Sequence, residues 1–258
     1  MLKVPQTIRD RIGDQKYTLD TVGCSGSRVF CFETMVLKAG AEEKEYRMLQ
    51  WLSGKIPVPE VLAFERMDGV NYLLMSRAEG EMLCSDRYLE DPDLLVSLLA
   101  QGMRMLWNVD VTECPYRNRT EEKLLQAQFR VDHELCTTED AEPGTYGPDG
   151  FQSPRQLLQW LKENKPREEP VFSHGDFCLP NLFAANGKIT AFLDLGYAGT
   201  ADRYQDIALC YRSLIQNFQG KYSRKESSGF SPDSLFEALS ISPDREKLRY
   251  YILLDELF

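Results

Sequence analysis

The stretch most able to do chemistry is residues 172–183, Phe-Ser-His-Gly-Asp-Phe-Cys-Leu-Pro-Asn-Leu-Phe, followed by Ala-Phe-Leu-Asp-Leu-Gly at 191–196. It holds Asp176, then Asn181 five residues later, then Asp194 beyond an apolar run that turns at an Asn-Gly pair. Because the strands of a hairpin return to the same edge, we expect these three side chains to converge. Magnesium is usually held by one or two carboxylates together with substrate phosphates. The pattern therefore predicts a magnesium site.

The same residues fit one reaction, the transfer of a phosphoryl group. That reaction needs metal-binding side chains, a carboxylate that orients the attacking hydroxyl, and a lysine for the phosphates. His-Gly-Asp, the later Asn and the final Asp-Leu-Gly supply the first two in the order that kinases use. A capped polar turn would explain one acid, but not the whole set together with the later Asp202 and Asp206.

The surrounding pattern predicts the elements that position these residues. Alternating or short apolar runs predict strands at 17–22, 29–32, 35–38, 61–64 and 72–75, and a helical period predicts one helix at 41–53. Beyond residue 80, helices are predicted at 93–107, 120–135, 154–163, 203–217, 233–239 and 243–257, with one strand at 188–193. We therefore predict an α+β fold of two lobes. The first, 1–78, is a small antiparallel β lobe with one helix, and the second, 79–258, is larger and mainly helical.

Composition excludes several other functions. A net charge of −10 over 258 residues argues against nucleic acid, which requires a basic surface. It is compatible with a cationic ligand, although acidity also simply keeps proteins soluble. No apolar run approaches the roughly 20 residues of a membrane span, and the charged first thirty residues do not resemble a signal peptide. Seven dispersed cysteines without a C-x-x-C pair indicate reduced thiols in a cytoplasmic protein. We further expect a monomer or a homodimer.

The motifs resemble those of the aminoglycoside phosphotransferase family, and above all those of its 3′-phosphotransferases, the kanamycin kinases. The resemblance rests on residues 171–176, 192–196 and the last nine residues, Tyr-Tyr-Ile-Leu-Leu-Asp-Glu-Leu-Phe, and runs from about Gly23 onward. It implies a bilobal protein-kinase-like fold and ATP-dependent phosphorylation of an aminoglycoside hydroxyl, the 3′-hydroxyl in that subgroup. It also implies antibiotic resistance as the outcome, Mg²⁺ as cofactor and ATP as co-substrate, with GTP as an alternative.

The resemblance implies a role for each motif residue. Asp176 would orient and deprotonate the sugar hydroxyl, Asn181 and Asp194 would hold magnesium, and Lys38 would contact the α- and β-phosphates. Glu45 is the expected partner of Lys38, because it precedes Met48 and Leu49 by one helical turn and so shares their inward face. Glu42, one turn earlier, is the alternative partner.

Two further segments would bind the nucleotide by the same resemblance. Gly23-Cys-Ser-Gly26 matches the loop over the phosphates, with Ser25 at the position that reaches the β-phosphate, although the loop lacks the G-x-G-x-x-G pattern. Ser76 and Ala78 match the hinge whose backbone bonds to adenine. Val36 stands where some relatives place an aromatic residue against adenine, which leaves the nucleotide preference open.

The last predicted helix points to the substrate. It ends in Asp255, Glu256 and the α-carboxylate of Phe258, although a helix C-terminus favours cations and nothing in the local sequence caps it. Such clustered acids suit a polycation, and in the resembling enzymes they bind drug ammonium groups. A solvated acidic helix end is the alternative. Glu142, in the acidic loop 138–149 with Glu139 and Asp140, is a further substrate-binding candidate.

Other kinases remain open as alternatives. A kinase for choline or a sugar metabolite shares the catalytic motifs, and Tyr197 departs from an Arg that is common in relatives. A protein kinase is disfavoured because His-Arg-Asp, Asp-Phe-Gly and Ala-Pro-Glu are absent from the sequence. A non-catalytic nucleotide-binding protein is disfavoured because Lys38, Asp176, Asn181 and Asp194 are all retained.

Overall fold

The computed structural model describes residues 2–20, 27–139, 141–221 and 229–258. The chain forms two compact units, Met1–Leu83 with Pro180–Tyr197, and Cys84–Leu179 with Ala198–Phe258. This division differs from the predicted lobes, because residues 180–197 join the first unit although they lie far along the chain. None of the described helices is both long enough and apolar enough to cross a membrane.

The first unit is built on an antiparallel sheet in the strand order β1-β2-β3-β5-β4. Its strands are β1 (Thr18–Leu19), β2 (Arg28–Cys31), β3 (Met35–Ala39), β4 (Val61–Met67) and β5 (Val70–Ser76), and its helices are α1 (Gln6–Ile12) and α2 (Glu43–Leu52). The helix α1 was not predicted, and it buries Ile8 and Ile12 against Phe30, Leu37 and Leu74. The sheet therefore has a closed apolar core on the face that α1 covers.

Tight turns explain why two hairpins form. Asp68 and Gly69 both have positive φ, 51° and 80°, between β4 and β5, and Asn186 and Gly187 have 51° and 72° in the second hairpin. Two successive positive φ values are the requirement of the type I′ hairpin turn, which Asn-Gly and Asp-Gly sequences favour. The Asn-Gly turn was predicted, and the structure confirms it.

That second hairpin consists of β8 (Leu182–Ala185) and β9 (Lys188–Phe192), and it explains the division into units. The short strand β6 (Glu81–Met82) pairs with β8, and the one-turn 3₁₀ helix Leu195–Tyr197 packs against α2. In addition, the Phe192 amide donates to the Pro57 carbonyl at 3.0 Å. Backbone pairing of this kind joins residues 180–197 to the first unit, and the local sequence does not reveal it.

The second unit is mainly helical, as predicted. Its helices are α3 (Asp86–Leu89), α4 (Pro92–Trp107), α5 (Thr120–Asp132), α6 (Pro154–Glu163), α7 (Arg203–Phe218), α8 (Ser234–Leu239) and α9 (Arg245–Asp255). Several begin at side-chain caps, such as Asp91 on Leu94 N, Ser153 on Gln156 N and Asp244 on Lys247 N. Strands β7 (Pro170–Ser173) and β10 (Gly199–Asp202) pair antiparallel within the unit, and neither was predicted.

Helix α5 ends at Asp132, three residues before the predicted end. Glu134 has a φ of 55°, and the Leu135 amide donates back to the Arg130 carbonyl at 2.8 Å. This left-handed turn closes a helix end even without glycine, which is the usual residue there.

Candidate active site

In the first unit, β3 and α2 bring Lys38 and Glu45 together. The Lys38 Nζ lies 2.9 Å from Glu45 Oε2, and the two residues are only 6% and 4% exposed. Lys38 also forms an ion pair with Asp194, at the end of β9. Burial acts to lower the pKa of Lys38, but the carboxylates of Glu45 and Asp194 outweigh it and raise the pKa. The structure thus contains the Lys38–Glu45 ion pair that the helical spacing indicated, and Glu42 is not needed for it.

The two predicted metal ligands occur in the same unit. Asp194 has a φ of 55°, an uncommon value for a non-glycine residue, and its side chain is 40% exposed. Asn181 is largely buried, and its carbonyl accepts a hydrogen bond of 2.9 Å from the Leu193 amide, next to Asp194. This bond ties the two ligand-bearing segments together.

The donor set fits magnesium. Asp194 and Asn181 offer hard oxygen atoms, whereas the described residues contain no group of three or more His, Cys, Asp or Glu side chains suited to a metal. Magnesium seldom uses such a cage, because it keeps water and phosphate oxygens in its coordination shell. The residues present are therefore compatible with a magnesium–nucleotide complex.

The predicted adenine hinge follows β5. The Ser76 amide donates to the Glu60 carbonyl at 2.9 Å, and the Ser76 hydroxyl accepts from the Glu60 amide. Because the Ser76 amide is engaged, a backbone contact between Ser76 and adenine would use the Ser76 carbonyl. Ala78 is partly buried two residues later. Ser25 and Asp140 lie outside the described residues.

In the second unit, the loop after β7 carries Asp176, and a buried carboxylate holds its backbone. The Oδ1 of Asp206 accepts from Ser173 Oγ at 2.9 Å and from the Gly175 amide at 3.0 Å, and its Oδ2 accepts from the His174 amide at 2.8 Å. Burial raises the pKa of Asp206, and these hydrogen bonds oppose that rise. Asp206 thus buttresses this loop, and His174 within the loop is fully buried.

The predicted substrate acids form one cluster around Arg212 of α7. Asp255 makes an ion pair with Arg212, and Glu256 Oε1 lies 3.8 Å from Arg212 Nη1. Glu256 Oε1 also accepts from the Glu142 amide at 3.2 Å, and the Glu142 carboxylate accepts from Gln216 Nε2. Tertiary structure therefore brings Glu142 beside the two acids of the last helix.

The end of α9 is capped by a distant residue, contrary to the expectation from local sequence. Arg130 of α5 donates from Nε to the Leu257 carbonyl at 2.7 Å and from Nη2 to an oxygen of the Phe258 α-carboxylate at 2.6 Å. A guanidinium group at a helix C-terminus satisfies free carbonyls and complements the helix dipole. The acids there are thus partly compensated by Arg130 and Arg212, two cations from distant parts of the chain.

Sequence reasoning missed three cations of this region, Arg130, Arg212 and Lys123. A signal existed only for Lys123, which shares the buried face of α5 with Leu124, Ala127 and Val131. A lysine on an apolar helix face could have been noted from the helical period alone.

Comparison with known proteins agrees with this arrangement. Residues 7–249 match the model of the phosphotransferase enzyme family. The chain is 37% identical to an aminoglycoside 3′-phosphotransferase of Enterococcus faecalis, and 36% identical to one of Staphylococcus aureus. Each alignment covers 100% of this chain and 99% of the relative.

Solved structures agree in fold. A crystal structure of a type VIII aminoglycoside 3′-phosphotransferase has a TM-score of 0.77 at 26% identity, covering 98% of this chain and 97% of that one. A Streptomyces rimosus aminoglycoside phosphotransferase in complex with ADP and streptomycin has a TM-score of 0.77 at 25% identity, covering 97% and 95%. On the family match and these full-length similarities, the chain belongs to the phosphotransferase enzyme family.

Proposed function

We propose that this protein transfers the γ-phosphoryl group of ATP to a hydroxyl group of an aminoglycoside, the 3′-hydroxyl by similarity with its relatives. The observation that carries the proposal is the buried ammonium group of Lys38, held by Glu45 and Asp194. A buried cation fixed in this way, followed in the chain by an Asn–Asp pair of oxygen ligands, suits a magnesium–triphosphate. Bacteria that make the enzyme would resist the drug.

Residues of the first unit would bind the nucleotide. Lys38 would contact the α- and β-phosphates, with Glu45 keeping its ammonium group in place. Asn181 and Asp194 would hold magnesium, which neutralises charge that develops on the phosphates during transfer. Ser25, the Ser76 carbonyl and the Ala78 amide complete the proposed nucleotide contacts.

Residues of the second unit would bind and activate the acceptor. The Asp176 carboxylate would accept a hydrogen bond from the sugar hydroxyl and take its proton. The sugar oxygen then bonds to the γ-phosphorus as the bond to the leaving ADP oxygen breaks. Asp206 accepts from the Ser173 hydroxyl and from the His174 and Gly175 amides, so it would hold Asp176 in place for this step, and such positioning is a large part of catalysis.

The acid cluster supports a cationic substrate. The carboxylates of Glu142, Asp255 and Glu256 share one guanidinium group, that of Arg212, which compensates only part of their charge. Drug ammonium groups would donate charge-assisted hydrogen bonds to these acids and compensate the charge that remains. The names of the relatives point to the same class of substrate.

A coupled ATPase assay with Mg²⁺ and separate kanamycin, neomycin, choline and homoserine tests the proposal. We expect turnover with at least one aminoglycoside, loss of it on adding EDTA, and a phosphorylated drug by mass spectrometry. Turnover with choline or homoserine alone would assign a different alcohol. Turnover that persists in EDTA would remove magnesium from the mechanism.

A further inference from the structure

Lys123 lies on the buried face of α5, where a lysine is unexpected. It is 6% exposed, and it lies between Thr120, Leu124 and Ala127 on that face. Lysine is almost never this deeply buried unless it is paired. Its position therefore requires an explanation beyond helix packing.

The charged groups around Lys123 belong to the proposed acceptor site. Burial lowers the pKa of Lys123, whereas the carboxylates of Asp255 and Asp176 raise it and the Arg212 guanidinium lowers it. Its Nζ is 5.1 Å from the centre of the Phe258 ring. Lys123 is thus within electrostatic reach of both the proposed base and the proposed drug-binding acids.

No residue that the structure describes accepts a hydrogen bond from Lys123. The neighbouring acceptors already have donors: Asp255 takes one from Arg212, and Thr120 Oγ1 is bonded to the Tyr251 hydroxyl at 3.0 Å. The Asp206 oxygens serve residues 173–175. The ammonium group of this largely buried lysine thus has donors to spare, so the side chain is suited to an acceptor that comes with a ligand.

We propose that Lys123 is a specificity-determining residue, whose ammonium group favours an aminoglycoside that places a hydroxyl group, rather than an ammonium group, beside it. The inference rests on the proposed function. An ammonium group has three donors and no acceptor, so it bonds to a hydroxyl oxygen but repels a second ammonium. The acid cluster around Glu142 and Glu256 would take the drug's ammonium groups instead.

Matched pairs of drugs test the selection. Kanamycin A and kanamycin B differ by one hydroxyl-to-amine replacement on the acceptor sugar, and paromomycin and neomycin differ by another at a second position. For each pair we would measure the ratio of kcat/KM, hydroxyl member over amine member, in the wild type, Lys123→Met and Lys123→Arg. In at least one pair, Lys123→Met should shift this ratio about tenfold towards the amine, because facing like charges are unfavourable and the variant removes one of them. Lys123→Arg should keep the wild-type preference.

A ratio separates selectivity from damage to the fold, since a merely structural defect lowers both rates together. Lys162→Met, which removes a charge from an exposed lysine of α6, is the matched control and should leave both ratios unchanged. If Lys123→Met folds poorly, Lys123→Gln provides the same comparison. Unchanged ratios in both pairs would overturn the inference. A wild-type enzyme that phosphorylates no member of either pair would contradict the proposed function itself, and this inference with it.

Discussion

At the scale of single residues, the proposed chemistry depends on which neighbouring groups position each charged side chain. Asp176 follows a loop segment whose backbone amides, at His174 and Gly175, donate hydrogen bonds to the buried carboxylate of Asp206. Lys38, in contrast, is held through its own ammonium group by two carboxylates. The proposed base is thus positioned through its backbone, and the proposed phosphate-binding cation through its side chain.

Asp176→Asn should nearly abolish turnover while nucleotide binding survives. The amide keeps the size of the side chain but cannot take the hydroxyl proton, and general-base catalysis is worth about 10²–10⁴-fold. Steady-state kinetics with an aminoglycoside gives the rate, and calorimetric titration with Mg²⁺ and a non-hydrolysable ATP analogue gives the binding. A kcat within a few-fold of wild type would remove Asp176 from the mechanism.

Glu256→Gln and Asp255→Asn should separate drug binding from stability. In Glu256→Gln the side-chain oxygen can still accept from the Glu142 amide, so the free energy of unfolding should change little. The aminoglycoside KM should nevertheless rise about tenfold, because one charge-assisted contact is lost. Asp255→Asn should also destabilise the protein, since it takes the ion-pair partner from the largely buried Arg212.

Thermal unfolding and steady-state KM values for drug and ATP check both variants. An unchanged drug KM in both would show that these acids serve only the structure of the helix end. An ATP KM that rises as much as the drug KM would contradict their assignment to the acceptor.

At the scale of elements, close backbone approaches join segments that are distant in sequence. Gly80, with a φ of 91°, precedes β6, and a Cβ at this position would lie 2.2 Å from the Ala184 carbonyl oxygen of β8. Glycine here allows β6 to pair with the hairpin that carries Asn181 and leads to Asp194. The local backbone of the proposed metal site thus depends on one residue that has no side chain.

Gly80→Ala should lower the free energy of unfolding by about 2–4 kcal/mol, because both the positive φ and the clash with backbone are unfavourable. Gly54→Ala is the matched control: its φ is 76°, but nothing lies within 4 Å of the added Cβ. The control should cost only about 1 kcal/mol. Urea denaturation curves measure both. Equal losses in the two variants would show that the β6–β8 approach is not tight.

At the scale of the whole molecule, the excess of acids should steer cationic substrates. The net charge is −10, and charges near solvent are screened over about 8–10 Å at physiological salt. Raising the salt concentration to about 0.5 M KCl should therefore increase the aminoglycoside KM several-fold while kcat at saturation stays nearly constant. Choline, with a single charge, is the control and should be less sensitive if it binds. A drug KM that is independent of salt would argue against electrostatic recognition.

Much of the proposed site could be predicted from the sequence, because its signals are local. Asp176, Asn181 and Asp194 fall within one short motif, and the Asn186–Gly187 turn between its strands needs only the φ preferences of those two residues. Helical spacing indicated Glu45, with Glu42 one turn earlier as the alternative, because the period of α2 can be recognised from neighbouring residues. Most helices of the second unit were also found, with no end shifted by more than three residues.

The tertiary structure decided what depends on distant partners. Strands β7 and β10 are four residues each and exist because Ser173 pairs with Gly199, a pairing that neither segment encodes alone. The same holds for residues 180–197, which join the first unit through β6 and α2. Compensation of the negative charge at the α9 end likewise depends on three cations from other helices. They are Arg130 and Lys123 of α5 and Arg212 of α7. A sequence period reports which face of a helix is buried, but electrostatic compensation acts through space, so only the folded chain reveals which charges meet.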